Sequence, residues 1–300
     1  MKTKNDKMKS VATCGLSLTM LLTAVLMLTS CRYRVHGRDR MTDADVDAKS
    51  EAHSEVSYQQ SEEQHGAATA VTTDGLEIPE MKSSKGQLLQ RTGYTTQYNS
   101  GTRCPDWTAW HLTAGHTNGS VKRKSADYQE DFQVREPRAT RDDYFQAPYD
   151  RGHMCPAGDN KWSPQAMQDC FLYTNMCPQN HNMNGGVWND LEMKCRTWAK
   201  QFGDIYIVCG PTYDSAAPAK FIGKNKVRVP DGFFKAVLCT RGTPKAIGFY
   251  YPNTHGEGSI EDHAMSVRQL ERMTGIDFFP RLDRDIQDKI ETSFNYADWQ

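Results

Sequence analysis

The sequence predicts a mixed α+β domain in which the strands pair in an antiparallel sheet. Short apolar segments bounded by glycine or proline predict strands at residues 107–112, 206–209, 233–239 and 246–251. Longer segments with apolar residues at helical spacing predict helices at residues 187–202 and 259–274. Because the strands are grouped, with helices and long loops inserted between them, the pattern favours antiparallel pairing over a regular βαβ series.

Local signals support both predicted helices. In the first, Leu191, Cys195 and Trp198 fall on one face, and Gly203 ends the pattern. The second is predicted to begin at Ser259, whose hydroxyl can cap the first turn, and the acidic residues that follow suit a helix N-terminus.

Length and charge bound the possible functions. The chain has 300 residues, a formal net charge of −1 and 38% hydrophobic residues. This is enough for one sizeable domain with extensions. A protein that coats nucleic acid stoichiometrically would carry a basic excess, so the near-neutral balance tells against that class but not against an enzyme.

The first 30 residues are predicted to be a secretory signal. Four lysines precede an uncharged and mostly apolar segment at residues 11–28, and Ser30 stands directly before Cys31. This arrangement resembles the bacterial lipoprotein signal, which implies cleavage before Cys31 and a lipid on that residue. An ordinary signal peptide with a chance cysteine, or an uncleaved anchor, are the alternatives. The lipoprotein interpretation places the protein outside the cytoplasm, anchored to the cell envelope at an outer membrane, on its periplasmic or its surface face.

Composition divides the rest of the chain in two. Residues 31–85 are rich in acidic and small polar residues and are predicted to be a disordered linker, because they offer too little apolar surface to fold. Aromatic residues and glycines recur from Tyr94 onward, so the predicted folded domain is residues 86–300.

The cysteines leave disulfide bonding open. Cys14 lies in the signal and Cys31 is assigned to the lipid, which leaves seven: Cys104, Cys155, Cys170, Cys177, Cys195, Cys209 and Cys239. Export permits disulfides, but an odd number leaves at least one thiol unpaired within the chain, and the connectivity cannot be read from spacing. The spacing does not favour a structural zinc site.

Polar residues suited to phosphodiester chemistry occur in a short stretch of the chain. They are Asp150, Arg151, His153, Asn175, Asn184, Glu192 and Arg196. Glu192 and Arg196 stand four residues apart on the first predicted helix and share a face, and Asn184 falls at the expected helix entrance, where an asparagine cap is natural.

Hydrolysis of a phosphodiester needs a base for water, cations for the developing charge and a metal for the phosphate oxygens. A histidine near its unperturbed pKa of about 6.5 is a suitable base. Arginine pairs its donors with phosphate oxygens, and magnesium needs few direct protein ligands, so one asparagine oxygen can suffice.

Each of these residues also has an ordinary structural interpretation. Asp150 and Arg151 could form a surface ion pair, and Glu192 and Arg196 a helix salt bridge. Asn184 alone would be a helix cap, and His153 alone would more often be structural than catalytic. The order of the whole set favours a functional site.

Two stretches carry a family resemblance. DRGHMCPAGDN and FLYTNMCPQNHNMNGGVWNDLE resemble the DNA/RNA non-specific endonucleases, the ββα-metal nucleases related to Serratia nuclease and endonuclease G. The core likeness covers residues 150–196, and a weaker likeness runs from Tyr94 to Pro280. It implies a ββα-metal nuclease fold with a central antiparallel sheet flanked by helices.

The resemblance also implies a role for each residue. His153 falls at the general base, Asn184 at the direct metal ligand, Glu192 at the acid that orders metal-bound water, and Asn175 at a polar residue that supports the site. Arg151 and Arg196 fall near the phosphate and leaving group. Arg123 matches an upstream arginine that stabilises the transition state, with Lys122 or Lys124 as competitors, and Asp150 falls at a position that orients neighbouring side chains. We therefore include His153, Arg151, Glu192, Arg196, Asn175 and Arg123 among the predicted catalytic residues, the three arginines also as substrate-binding residues.

These assignments predict a Mg²⁺-dependent, sugar-non-specific endonuclease, with Mn²⁺ as a substitute metal and 5′-phosphate products from DNA and RNA. Two alternatives remain at this point: a nucleic-acid-binding lipoprotein without catalysis, and a phosphodiesterase of narrow substrate range. The family likeness also makes a homodimer a possible assembly.

Overall fold

The computed structural model describes residues 74–83 and 85–300. The predicted signal, Cys31 and most of the predicted linker lie outside these ranges. Within them, no helix is long and apolar enough to cross a membrane.

The described residues form a central antiparallel sheet and two small strand pairs. The strands in chain order are β1 (Gln87–Gln90), β2 (Thr95–Asn99), β3 (Cys104–Thr113), β4 (Asp150–His153), β5 (Met176–Gln179), β6 (Asp204–Thr212), β7 (Lys220–Ile222), β8 (Val227–Val229), β9 (Gly232–Cys239), β10 (Lys245–Pro252) and β11 (Ala264–Met265). The central sheet has the order β1-β2-β3-β6-β9-β10-β11, while β4 pairs with β5 and β7 with β8. The four strands predicted from sequence are confirmed, as is antiparallel pairing.

Helices cover both faces of this sheet. They are α1 (Arg141–Tyr144), α2 (Pro164–Asp169), α3 (His181–Met183), α4 (Asn189–Phe202), α5 (Val267–Thr274) and α6 (Arg284–Glu291). Side chains of each central strand alternate between the two faces, as the two-residue period of a strand requires. Trp110 and Val237 face α4 and the β4–β5 pair, whereas Leu238 faces α5 and α6.

The second predicted helix begins later than the sequence suggests. Ser259 precedes only a short 3-10 turn, Glu261–His263, and its hydroxyl donates to the Asp262 carboxylate at 2.8 Å; the chain then forms β11. The helix proper starts after Ser266, which forms a reciprocal capping box with Gln269. The sequence contains two capping signals in tandem, and the pairing of β11 with β10 assigns the helix to the second.

The folded domain starts before residue 86, so the predicted linker is too long at its end. Leu76 is fully buried, and Glu80 pairs with Asp277 through backbone hydrogen bonds of 2.9 and 2.8 Å. Composition missed this segment because a few apolar residues, Leu76, Ile78 and Met81, and a backbone bridge leave little trace in a polar stretch.

All seven cysteines of the described residues are buried free thiols, so none of them forms a disulfide there. Burial raises the pKa of Cys195 and of Cys209 to about 12. Thiols with such a pKa remain protonated at neutral pH and are poor nucleophiles.

A buried carboxylate between α5 and α6 makes stability depend on pH. Burial and the neighbouring Glu271 raise the pKa of Glu291 to about 8, although Arg268 lies 3.0 Å from it and opposes the shift. Since the folded-state pKa lies above the unfolded value of about 4.3, the stabilising contribution is complete below that value and is lost as pH rises toward 8. We expect Glu291→Gln to flatten the fall in unfolding free energy between pH 5 and 9, as measured by urea denaturation. The exposed Glu261→Gln is the control, and equal slopes for wild type and Glu291→Gln would contradict the assignment.

Candidate active site

The candidate site is built on a strand pair followed by a helix. Strand β4 runs antiparallel to β5, with Asp150 opposite Gln179 and His153 opposite Met176. The chain then passes through α3 and a π-helical turn, Asn184–Trp188, into α4. This β–β–helix unit brings together the conspicuous polar stretches of the sequence.

His153 is enclosed at the end of β4. It is 7% exposed and meets the Phe171 ring edge-to-face at 4.9 Å, and its Nε2 has no hydrogen-bond partner among the described residues. Burial lowers its pKa well below the usual 6.5, and the positive charges of Arg123 and Arg151 lower it further. The sequence-based expectation of an unperturbed pKa is therefore wrong. The ring is neutral at neutral pH and can accept a proton.

Two arginines lie beside His153 around one aromatic residue that the sequence did not single out. Arg123 donates from Nη2 to the Tyr128 hydroxyl at 3.1 Å, and its guanidinium carbon lies 4.9 Å from the Phe171 ring centroid. The Arg151 guanidinium lies 4.1 Å above the Tyr128 ring, and that ring is 5.8 Å from the His153 ring. Tyr128 stands in the same segment as Arg123, but nothing in its spacing distinguishes it from a core tyrosine.

The competing lysines are placed differently from Arg123. Lys122 and Lys124 are both exposed, whereas Arg123 is half-buried against Tyr128 and Phe171. The structure thus brings Arg123, Arg151 and His153 into one cluster.

Asn175 holds the chain that follows His153. Its amide nitrogen donates to the carbonyls of Cys155 and Cys170 at 2.9 and 2.8 Å, and its Oδ1 accepts from the Cys155 amide at 2.9 Å. The side chain is fully buried. A fully buried side chain with these bonds suits the supporting role that the resemblance implies, not direct contact with a substrate.

Gly152 in the Asp-Arg-Gly-His run has a steric explanation. A Cβ at Gly152 would lie 1.8 Å from Oε1 of Gln179, whose fully buried side chain crosses over this position. The glycine leaves room for the Gln179 side chain of β5 to pack against the backbone of β4.

Gly152→Ala should therefore destabilise the β4–β5 pair and reduce activity together. Overpacking of this kind costs about 1–3 kcal/mol. Adding Gln179→Ala removes the colliding group, so the cost of Gly152→Ala should shrink in that background. Thermal or urea unfolding of the two single variants and the double variant measures this coupling, and strictly additive effects would contradict it.

Asn184 is oriented by Asp150. The amide nitrogen of Asn184 donates to Asp150 Oδ2 at 3.0 Å, and the same oxygen lies 3.0 Å from His181 Nδ1. The expected role of Asn184 as helix cap is wrong, because the side chain of Asn180 accepts from the amides of Asn182 and Met183 and caps the turn instead. Asn184 lies in helical conformation at the start of the π turn, a feature often found at functional sites.

The residues around Asn184 fit a hard cation. With the amide nitrogen held by Asp150, the Asn184 Oδ1 is the atom left to act as a ligand, and the partly exposed Asp150 carboxylate adds nearby negative charge. The described residues hold no group of three or more His, Cys, Asp or Glu side chains suited to a metal. A magnesium site with one amide oxygen and several waters requires no such group.

Helix α4 carries Glu192 and Arg196 into the interior. Glu192 is 5% exposed, and Arg196 donates from Nη1 to Oδ1 of buried Asp159 at 3.0 Å. The other Asp159 oxygen accepts from the Trp110 indole at 3.0 Å. One side of the Arg196 guanidinium is committed to Asp159, so a phosphate contact would have to use its remaining donors.

Lys235 on β9 is a second residue that sequence analysis missed. It is fully buried, and its ammonium lies 4.5 Å from the Trp188 ring centroid and 5.2 Å from that of Trp110. Burial disfavours the charge, but neighbouring thiols and the Glu192 and Asp159 carboxylates outweigh burial and raise the pKa of Lys235. A lysine within an apolar strand gives no signal of this kind in the sequence.

The fold and the site define the class of protein. A strand pair and helix that present a histidine on the first strand and an asparagine at the start of the helical segment, beside a central antiparallel sheet, constitute the ββα-metal nuclease fold. A chain from the crystal structure of the EndoG/EndoGI complex aligns with a TM-score of 0.64 and 27% identity, over 67% of this chain and 89% of that chain.

The chain belongs to the DNA/RNA non-specific endonuclease family, whose sequence profile matches residues 73–285. Similar proteins include the mitochondrial nuclease EXOG of Xenopus laevis, 35% identical over 66% of this chain and 60% of that protein. Mitochondrial endonuclease G of Homo sapiens is 31% identical over 65% of this chain and 70% of that protein. The chain thus spans about 60% of the length of the EXOG relative. Nucleases of this family are in general metal-dependent.

Proposed function

We propose that this protein is an endonuclease that hydrolyses phosphodiester bonds in both DNA and RNA, with Mg²⁺ as its metal and Mn²⁺ as a substitute. The observation that carries the proposal is the cluster of a neutral, enclosed His153 with Arg123 and Arg151 around Tyr128. A base beside two fixed cations is what attack by water on a phosphodiester requires.

The charges of the cluster suit this reaction. Because burial, Arg123 and Arg151 keep the pKa of His153 low, the ring is unprotonated before substrate arrives and can take a proton from water. A bound phosphate would bring negative charge to the arginines and offset their effect on the ring. The two guanidiniums can then stabilise the charge that develops on the phosphate oxygens.

Asn184 would hold the metal, and Glu192 would help to order water at the site. When bound, Mg²⁺ supplies positive charge that stabilises the phosphate and the leaving oxygen. Asp150 serves by orienting the Asn184 amide. Cleavage on the 3′-oxygen side would leave 5′-phosphate ends.

The proposed substrates follow from the side chains available. Arginines that contact backbone phosphate carry no base information, which accounts for cleavage of either nucleic acid without sequence preference. We also propose export and a lipid on Cys31 as the membrane attachment, on the basis of the N-terminal sequence pattern. A homodimer remains a proposal that sedimentation of the full chain would test.

Digestion of plasmid DNA and of a long RNA with and without EDTA tests the proposed function. We expect rapid loss of both substrates in Mg²⁺ or Mn²⁺, no loss in EDTA, and recovery when excess Mg²⁺ is restored. The 5′ ends of the products should accept a label only after phosphatase treatment. Full activity in EDTA, or cleavage restricted to dinucleotides, would contradict the proposal.

A further inference from the structure

A partly exposed aromatic pair lies on the surface beside the candidate site. The Trp162 side chain is 37% exposed, and its ring stacks on that of His116 with centroids 4.6 Å apart and planes 17° apart. We call these two residues the Trp162 platform. Because His116 stacks on one face of the indole, a further ring could stack only on the other face.

The Trp162 platform is held in place by close packing of the backbone next to it. Burial lowers the pKa of His116, so at neutral pH the ring stacks largely as an uncharged aromatic. A Cβ at Gly119 would lie 2.0 Å from the carbonyl of Lys161, which shows how closely the segment after His116 packs on the backbone beside Trp162. The large indole is therefore held on the surface without being enclosed.

The same segment leads directly to the candidate site. The Val121 amide donates to the Lys161 carbonyl at 3.0 Å, and Arg123 follows two residues later. Two residues of extended chain span about 7 Å. The platform consequently lies on the order of 10 Å from the Arg123 backbone, which is roughly three nucleotides along a stacked strand.

Three lysines stand along this path. Lys122 and Lys124 are exposed on either side of Arg123, and Lys161 is half-buried next to Trp162. Aromatic rings beside a cationic track are the combination that binds single-stranded nucleic acid, because every base has a face that can stack and every phosphate is attracted to the cations.

We propose that Trp162 is a stacking subsite for one unpaired base of the substrate strand, a few nucleotides from the bond that is cut. This inference rests on the proposed nuclease function. It adds a preference for single-stranded substrate, which contacts to backbone phosphate alone do not provide. A base held in a duplex is already stacked on its neighbours. The subsite therefore assists single-stranded DNA and RNA more than duplex substrate.

Cleavage mapping of a single-stranded oligonucleotide with one abasic site tests the subsite. Compared with the intact oligonucleotide, cleavage by full-length wild-type protein should be about 5-fold or more slower at one or two bonds, which lie at a fixed distance from the missing base. Trp162→Ala should remove this suppression and lower kcat/KM on intact single strands by about 10-fold, while duplex cleavage changes by less than about 2-fold. Trp162→Phe should restore much of the pattern because it keeps a ring.

Phe294→Ala is the matched control. Phe294 is also 37% exposed and follows α6, which packs on the opposite face of the sheet, so its removal should leave the map unchanged. A map without suppression in wild type, or the same suppression in Trp162→Ala, would overturn the subsite while leaving the nuclease function standing. Absence of cleavage on every substrate would overturn the nuclease function and the subsite together.

Discussion

His153→Ala should lower kcat/KM on DNA and RNA by about 10²- to 10⁴-fold, the range typical for loss of a general base. The ring is enclosed by Phe171 and Tyr128 and stands beside two arginines, so no neighbouring group of the cluster can replace it as a base. Initial rates on single-stranded and duplex substrates, at saturating Mg²⁺, measure the loss. Substrate affinity should change much less, because the arginines remain.

The pH dependence separates a catalytic from a structural role for His153. Since the pKa of His153 lies well below 6.5, the neutral base persists as pH falls, and kcat/KM should stay level from pH 8 to about 6. Arg151→Gln removes one of the charges that lower this pKa and should move the acidic limb to higher pH, in addition to slowing the reaction. An acidic limb in the same place for both proteins, or His153→Ala with wild-type rates, would contradict the assignment.

Asn175→Ala should destabilise the protein by about 3 kcal/mol or more and remove most activity. It leaves one buried N–H and two buried carbonyls without the hydrogen bonds that Asn175 now makes, and each unsatisfied group costs about 1–3 kcal/mol. Because these bonds hold the chain directly after His153, the base should also lose its fixed position. Urea denaturation and single-turnover rates measure the two effects.

The isosteric Asn175→Asp sharpens this test. It keeps the acceptor for the Cys155 amide but sets a carboxylate oxygen against the carbonyls of Cys155 and Cys170, so at neutral pH it should be at least as destabilising as alanine. The exposed Asn118→Ala should be close to neutral. A stable Asn175→Asp variant with normal activity would show that these hydrogen bonds do not support the site.

The strands and helices that could be predicted are those with a clear apolar pattern in a short stretch of sequence. Alternating or continuous apolar segments identified strands such as β6 and β9, and the helical spacing before Gly203 identified α4. Where two signals competed locally, as with Ser259 and Ser266, the pairing of β11 made the choice. The segment around Leu76 was missed because Leu76 is buried among residues that are distant in the chain.

The family and the ββα fold were predicted from the resemblance of two short stretches, and both predictions are confirmed. The roles of His153, Asn184, Glu192 and the arginines were predicted from the order and spacing of these residue types, and they remain predictions. Their environments depend on the tertiary structure. It set Tyr128 between two arginines, committed Arg196 to Asp159, enclosed Lys235 and lowered the pKa of His153. Burial and charge at a site are sums over residues far apart in the chain, so no local pattern records them, whereas candidates for the reacting groups can be proposed from order and spacing alone.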